Sequence, residues 1–126
     1  MQLLLYLQLK PIDAISFQHP FAPELKNKLP DLIIFEADQG SDISQIEIGK
    51  NLISDSSKVC LWIECEKEPA FGPLVGLFES LRKNNHRVMT IVKHEHQSLQ
   101  KILKLLKTEV KQEASADEII DFFCSS

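Results

Sequence analysis

The chain has 126 residues, 44% hydrophobic and 25% charged, with a formal net charge of −4. That length suits one domain spanning residues 1–126 and can bury roughly two-thirds of its unfolded surface, and the mix is that of a folded chain rather than a disordered one. The acidic balance argues against nucleic-acid binding, which draws on concentrated Lys and Arg, and no apolar run approaches the ~18 residues of a membrane span.

Residues 1–9 lack the basic start and small-residue cleavage site of a secretory signal. Within them Leu3, Leu5, Leu7 and Leu9 alternate with Leu4, Tyr6 and Gln8. A period of two predicts a strand with one strongly apolar face, ended by Pro11. Ile15-Ser16-Phe17 reads as a short extra strand. Pro20 and Pro23 frame a helix start, Phe21, Leu25 and Leu29 recur at i, i+4, i+8 with Lys26 and Lys28 outward, and Pro30 stops the helix. Leu32-Ile33-Ile34-Phe35 is apolar on both faces, as a central parallel strand should be. An acidic loop over residues 36–42 follows, then Asp42 and Gln45 in capping-box spacing. Ile43, Ile46 and Ile53 give the next helix an inner face, which Gly49 weakens by ~1 kcal/mol relative to alanine.

Val59-Cys60-Leu61-Trp62-Ile63 is the third strand, followed by a charged loop over 64–70. Pro73 suits a first helical turn. Leu74, Leu77, Phe78 and Leu81 then trace an amphipathic helix that Asn84-Asn85 closes. Residues 88–92 form the fourth strand. The 98–109 segment predicts a helix with Leu99, Ile102, Leu103 and Leu106 inward, residues 111–114 are linker-like, and Ser115 with Glu118 caps a last helix carrying Ile119, Phe122 and Phe123. Alternating strands and helices predict a three-layer αβα sandwich with a mostly parallel sheet of four or five strands.

Such a sheet gathers the loops 10–13, 36–42, 64–68 and 93–96 at one edge, where ligands of parallel sheets bind. Glu36, Asp38, Glu64, Glu66, His94 and His96 would meet there as carboxylates and imidazoles. That set could bind a divalent metal, but no HExxH spacing supports one, and charged strand-end loops are ordinarily just solvated. Gly40-Ser41-Asp42 precedes a helix whose amino end could take an anion. There is no GxGxxG and no GxxxxGK[ST], Asp38 and Asp42 would repel phosphate, and a turn with a helix cap explains the same residues. No cofactor and no metal are therefore expected. Cys65 follows a central strand, but Glu64 and Glu66 disfavour its thiolate, and Cys60 reads as a small hydrophobe. The absence of a CxxC pair fits a reducing, cytoplasmic setting. Lys101, Lys104 and Lys107 lie opposite the leucine stripe and read as a solvated face.

The order Ile15-Ser16-Phe17, helix 21–29, Leu32-Ile33-Ile34-Phe35 and an acidic loop with Gly40 resembles a Toll/interleukin-receptor (TIR) domain. The 43–54 segment followed by Ser56-Ser57-Lys58-Val59-Cys60-Leu61-Trp62-Ile63 is similar to that family's helix, serine and apolar strand. The resemblance covers residues 14–92. It implies a flavodoxin-like fold and a 36–42 loop used to assemble with partners. Members that cleave NAD place a glutamate at a position that falls near Val75 here, where there is none, so the resemblance does not carry that activity over. Leu29-Pro30-Asp31-Leu32-Ile33-Ile34-Phe35-Glu36 also resembles the phosphoacceptor strand of receiver domains, with Lys93 in the place of their lysine. Glu36 stands where aspartate is required, and Lys10-Pro11 replaces the acidic pair.

The leading expectation is a non-catalytic, TIR-like or flavodoxin-like interaction module. Its contact edge is the 36–42 and 64–68 loops, its binding residues are Asp38, Gly40, Ser41, Asp42, Lys93, His94 and His96, and its partner is another protein or a second copy. The alternative is a hydrolase or transferase acting on a nucleotide or NAD-like glycoside at the strand ends, with Glu36, Glu64 or Glu66 as acid or base. A degenerate receiver-like domain is a further alternative, and a chain that only dimerises through residues 115–126 is another.

Overall fold

The computed structural model describes residues 1–9, 19–38, 40–65, 71–83, 87–93, 97–106 and 108–125, and the apolar runs become its sheet. β1 (Gln2–Leu9) pairs on one side with β2 (Ile33–Asp38) and on the other with β3 (Lys58–Cys65), in parallel. β4 (Arg87–Lys93) and β5 (Glu109–Lys111) continue beyond β3, also in parallel. The order β2-β1-β3-β4-β5 is the flavodoxin-like one, in which the winding reverses between β1 and β3.

Placement in the sheet corrects two expectations. β1 is central, so both of its faces are covered: Leu3, Leu5, Leu7 and Leu9 are buried on one side, Leu4 and Tyr6 on the other. The apolar run at 32–35 is not central. It belongs to edge strand β2, where Ile33, Ile34 and Phe35 are only half-buried. Two-sided hydrophobicity therefore marks β3 as central correctly and β2 wrongly. An edge strand wedged between helices on both faces needs apolar residues on both sides too. The 15–17 segment lies outside the described residues.

Five helices among the described residues cover the two faces. α2 (Ile43–Asp55), α3 (Val75–Lys83) and α4 (Gln97–Leu106) pack on the face of Leu3, Leu5 and Leu7. α1 (Ala22–Lys28) and α5 (Ala116–Cys124) pack on the face of Leu4, Tyr6 and Trp62. α1 carries Pro23 in its first turn, and a 3-10 turn at Gly72–Leu74 holding Pro73 leads into α3. α4 ends at Leu106 rather than at residue 109, because 109–111 pair with Met89, Thr90 and Ile91 as β5. Lys111, read as linker, belongs to that short strand. Thr108, before it, donates its hydroxyl to the Val88 carbonyl at 2.9 Å.

The final helix packs on its own sheet, with Ile119 and Phe123 buried, so its apolar face is not a free dimer surface. Its carboxyl end is held by Lys58, whose amine donates to the Phe122 and Phe123 carbonyls at 3.1 and 3.2 Å. A cation at that end also complements the helix dipole. Its start has the full capping box of Ser115 and Glu118.

Candidate functional site

The strand register assembles the carboxyl edge residue by residue. Gln8 lies beside Asp38 on one side and Glu64 on the other, and Glu64 lies beside Lys93. One step down, Tyr6 lies beside Glu36 and Trp62. Side chains two apart on a strand share a face, and Tyr6 and Trp62 belong to the α1/α5 face. A core of Leu4, Cys60 and Met89 thus gives way toward the strand ends to Tyr6, Glu36 and Trp62, then to Gln8, Asp38, Glu64 and Lys93. Of the six residues expected to meet, the register brings Glu36, Asp38 and Glu64 to this edge, with Lys93 beside Glu64. Glu66, His94 and His96 lie outside the described residues, as does the 10–13 loop.

An aromatic box sits in this band, at the point where the winding reverses. His19 is 1% exposed. Its ring lies 4.7 Å from that of Tyr6 and 4.4 Å from that of Trp62, edge-on to both. Its Nδ1 accepts the Phe21 N–H at 3.0 Å, so in the neutral ring the proton is on Nε2. That Nε2 and the Trp62 Nε1 are buried and find no hydrogen-bond partner among the described residues. Burial lowers the His19 pKa to about 4, against the opposing pull of nearby Glu64, so the ring is neutral at pH 7. Glu64 accepts the Tyr6 hydroxyl, and Lys93 places its amine 5.7 Å from the Trp62 ring centroid. Glu36 accepts the His19 backbone N–H at 3.2 Å, and burial raises its pKa against that hydrogen bond.

The rim beyond β2 is tied by its own hydrogen bonds. The Asp38 carboxylate accepts the Gly40 N–H at 2.7 Å, and the Asp38 carbonyl accepts the Ser41 N–H at 3.1 Å. The Ser41 hydroxyl accepts the Asp38 N–H at 3.0 Å. Asp42 caps α2 by accepting the Gln45 N–H at 2.8 Å. The reciprocal arm of the predicted capping box goes elsewhere: the Gln45 amide donates to the Glu36 carbonyl at 2.9 Å and ties α2 to β2. The amino end of α2 is thus occupied by a carboxylate, which disfavours an anion there. Glu36 and Asp38, read as loop residues, are the end of the strand. Ile43, expected to point inward, is 79% exposed. As the first residue of α2 it stands above the sheet edge, beyond the reach of the core.

Other candidates resolve simply. Cys60 and Cys65 are both 0% exposed, which removes the exposed thiol envisaged for Cys65, and burial pushes the Cys60 thiol pKa up. Val75 is exposed at the start of α3. Lys101 and Lys104 lie on the exposed face of α4, and Lys107 lies outside the described residues. Among the described residues no three His, Cys, Asp or Glu side chains gather to hold a metal ion, and no helix is long and apolar enough to cross a membrane.

The sequence reading missed Tyr6, Gln8, His19 and Trp62. Tyr6 and Gln8 interrupt a leucine strand at its carboxyl end, and Trp62 and Glu64 do the same in β3. Aligning those two interruptions would have located the box. The fold defines an α/β protein of flavodoxin-like topology with a polar and aromatic strand-end edge. Compared with known proteins, the chain matches no family model, and no curated protein matches it either.

Proposed function

We propose that the protein is a non-catalytic interaction module that docks another protein on the rim formed by residues 36–38 and 40–43. One observation carries this reading: Asp38, Gly40, Ser41 and Asp42 are tied by backbone and side-chain hydrogen bonds beside Ile43, which is 79% exposed. Residues already tied by hydrogen bonds lose less entropy on binding, and a projecting apolar side chain is a ready anchor for a partner's pocket. Two of the three carboxylates considered for acid–base work have structural duties: Glu64 holds Tyr6 and Glu36 holds the His19 backbone, while Glu66 lies outside the described residues. Asp38 and Asp42 shape the loop. Charge reversal at Asp38 or Asp42 would therefore disturb the loop itself, and Ile43 is the cleaner probe. Immobilised chain should retain a protein from an extract of its native cells, and Ile43→Asp should weaken that retention at least about tenfold. Equal retention by both would refute the rim.

A second reading rests on the two buried N–H groups of His19 and Trp62 at the winding reversal. They would suit a small ligand offering hydrogen-bond acceptors, such as a nucleotide base or sugar. A thermal-shift panel of nucleotides and sugars tests it, since a ligand at 100 times its Kd stabilises by about 2.7 kcal/mol. A saturable shift abolished by Trp62→Phe would favour this reading over the rim, and no shift across the panel would remove it.

A further inference from the structure

Ile43 and Leu105 are the two most exposed large apolar side chains among the described residues, at 79% and 61%. Their charged sequence neighbours have opposite sign. Ile43 follows Asp42 at the rim. Leu105 lies on α4, which carries Lys101 and Lys104 and no acidic residue. Leu99 and Leu103 are buried on the inner side of α4, so the exposed Gln100, Lys101, Lys104 and Leu105 form its outward face. In a chain of net charge −4 that face stands against the overall balance. A merely solvated helix face is polar, whereas this one holds a leucine in water.

A concavity of about 210 Å³ opens beside the same face, lined by Gln100, Leu103, Lys104, Thr108 and Val110. Its apolar lining comes from Leu103 on α4 and Val110 on β5. Thr108 is tied to β4 through the Val88 carbonyl. Pockets for small molecules begin near ~300 Å³, so this hollow suits one side chain of a larger partner. Lys104 belongs to both features, since it lines the hollow and adjoins Leu105 in sequence. An exposed leucine, an apolar hollow and two amines thus lie within about two turns of one helix.

Lysines on a helix without an acid favour a partner that bears carboxylates. A lipid surface would meet the amines and Leu105 but leave the hollow unused. A second copy would bring the rim, whose Asp38 and Asp42 carboxylates are already turned to the Gly40 and Gln45 N–H groups. We infer that α4 docks an acidic segment of another protein, with its carboxylates on Lys101 and Lys104 and one apolar side chain in the hollow. α3 packs against both α2 and α4 and stands between them. The α4 face is therefore separate from the Ile43 rim and does not depend on it.

Fluorescence anisotropy of a labelled synthetic peptide, glutamates around a single leucine, tests the inference on the full chain. The expected result is saturable binding with a Kd below about 1 mM at low salt, weakening as added salt screens the charges. A peptide with lysine in place of each glutamate should bind at least about tenfold more weakly. Leu105→Gln should weaken binding of the acidic peptide about tenfold. Lys101→Gln combined with Lys104→Gln should weaken it about fivefold. These changes place a good helix former at exposed positions, and unchanged urea midpoints would show that the variants fold. Ile43→Asp should leave binding intact. No binding to the acidic peptide would overturn the inference, as would equal binding of the lysine peptide or indifference to both α4 variants. Binding lost with Ile43→Asp but kept with Leu105→Gln would overturn it while supporting the rim. Leu105-dependent binding to phosphatidylserine vesicles without peptide binding would overturn it in favour of a lipid surface, and Leu105-dependent self-association without peptide binding would overturn it in favour of a second copy.

Discussion

Replacing Gly49 with valine should destabilise the fold by about 2–3 kcal/mol. On propensity alone glycine is the poor choice in the middle of a helix, by about 1 kcal/mol against alanine. Packing reverses that preference. A Cβ at position 49 would stand 2.7 Å from Leu77 Cδ2 and 2.9 Å from Phe35 Cε1. Leu77 is fully buried, so it has nowhere to retreat. Gly49 thus lets α2 settle onto β2 and α3, and that seating aims Asp42 and Ile43 at the rim. Gly76 in α3 is the control. A Cβ there would first meet Lys50 Cε, at 2.9 Å, on a flexible chain that can swing aside. Gly76→Ala should therefore stabilise, by up to about 1 kcal/mol. Urea unfolding of both variants reads the two signs directly, and destabilisation of similar size at both positions would contradict the packing argument.

Acidification should weaken the fold between pH 6.5 and 4 through His19. Its folded pKa is lowered to about 4, below the ordinary value of about 6.5 in the unfolded chain. The unfolded chain therefore takes up the proton first, and stability falls as pH drops through that window. The full shift corresponds to about 3.4 kcal/mol at most. Glu36 works in the opposite direction, because its pKa is raised in the fold and protonation there favours the native state. His19→Asn keeps an acceptor near the Phe21 N–H and removes the titration. Urea midpoints at pH 7 and 4.5 should fall further for the wild type than for His19→Asn. Parallel falls would show that the imidazole is not the acid-sensitive group.

Much of the architecture was legible because the sequence signals were local. Alternation and apolar runs located β1, β3 and β4, helical spacing located α3, α4 and α5, and Ser115 with Glu118 marked a cap that forms in full. What failed depended on distant neighbours. The run at 32–35 reads as a central strand, but chain order alone does not say that β2 lies outside β1. Ile43 fits a helical stripe with Ile46, yet as the first residue of α2 it is 79% exposed. β5 is too short and too charged to announce itself, and it exists because β4 offers it a free edge. The candidate site divided in the same way. Glu36, Asp38, Glu64 and Lys93 were found by counting strand ends. Tyr6, His19 and Trp62 were missed because a tyrosine and a tryptophan in apolar strands read as core. Only the register shows that they enclose an imidazole at the winding reversal.

The claim that the rim of residues 36–38 and 40–43 is a protein-docking surface is tested most directly by its footprint. Amide hydrogen exchange of the chain, alone and with the protein it retains, should show slowing concentrated at Gly40 through Glu47 and little change on α4. Slowing concentrated around Lys101 and Leu105 instead, with the rim unaffected, would contradict it.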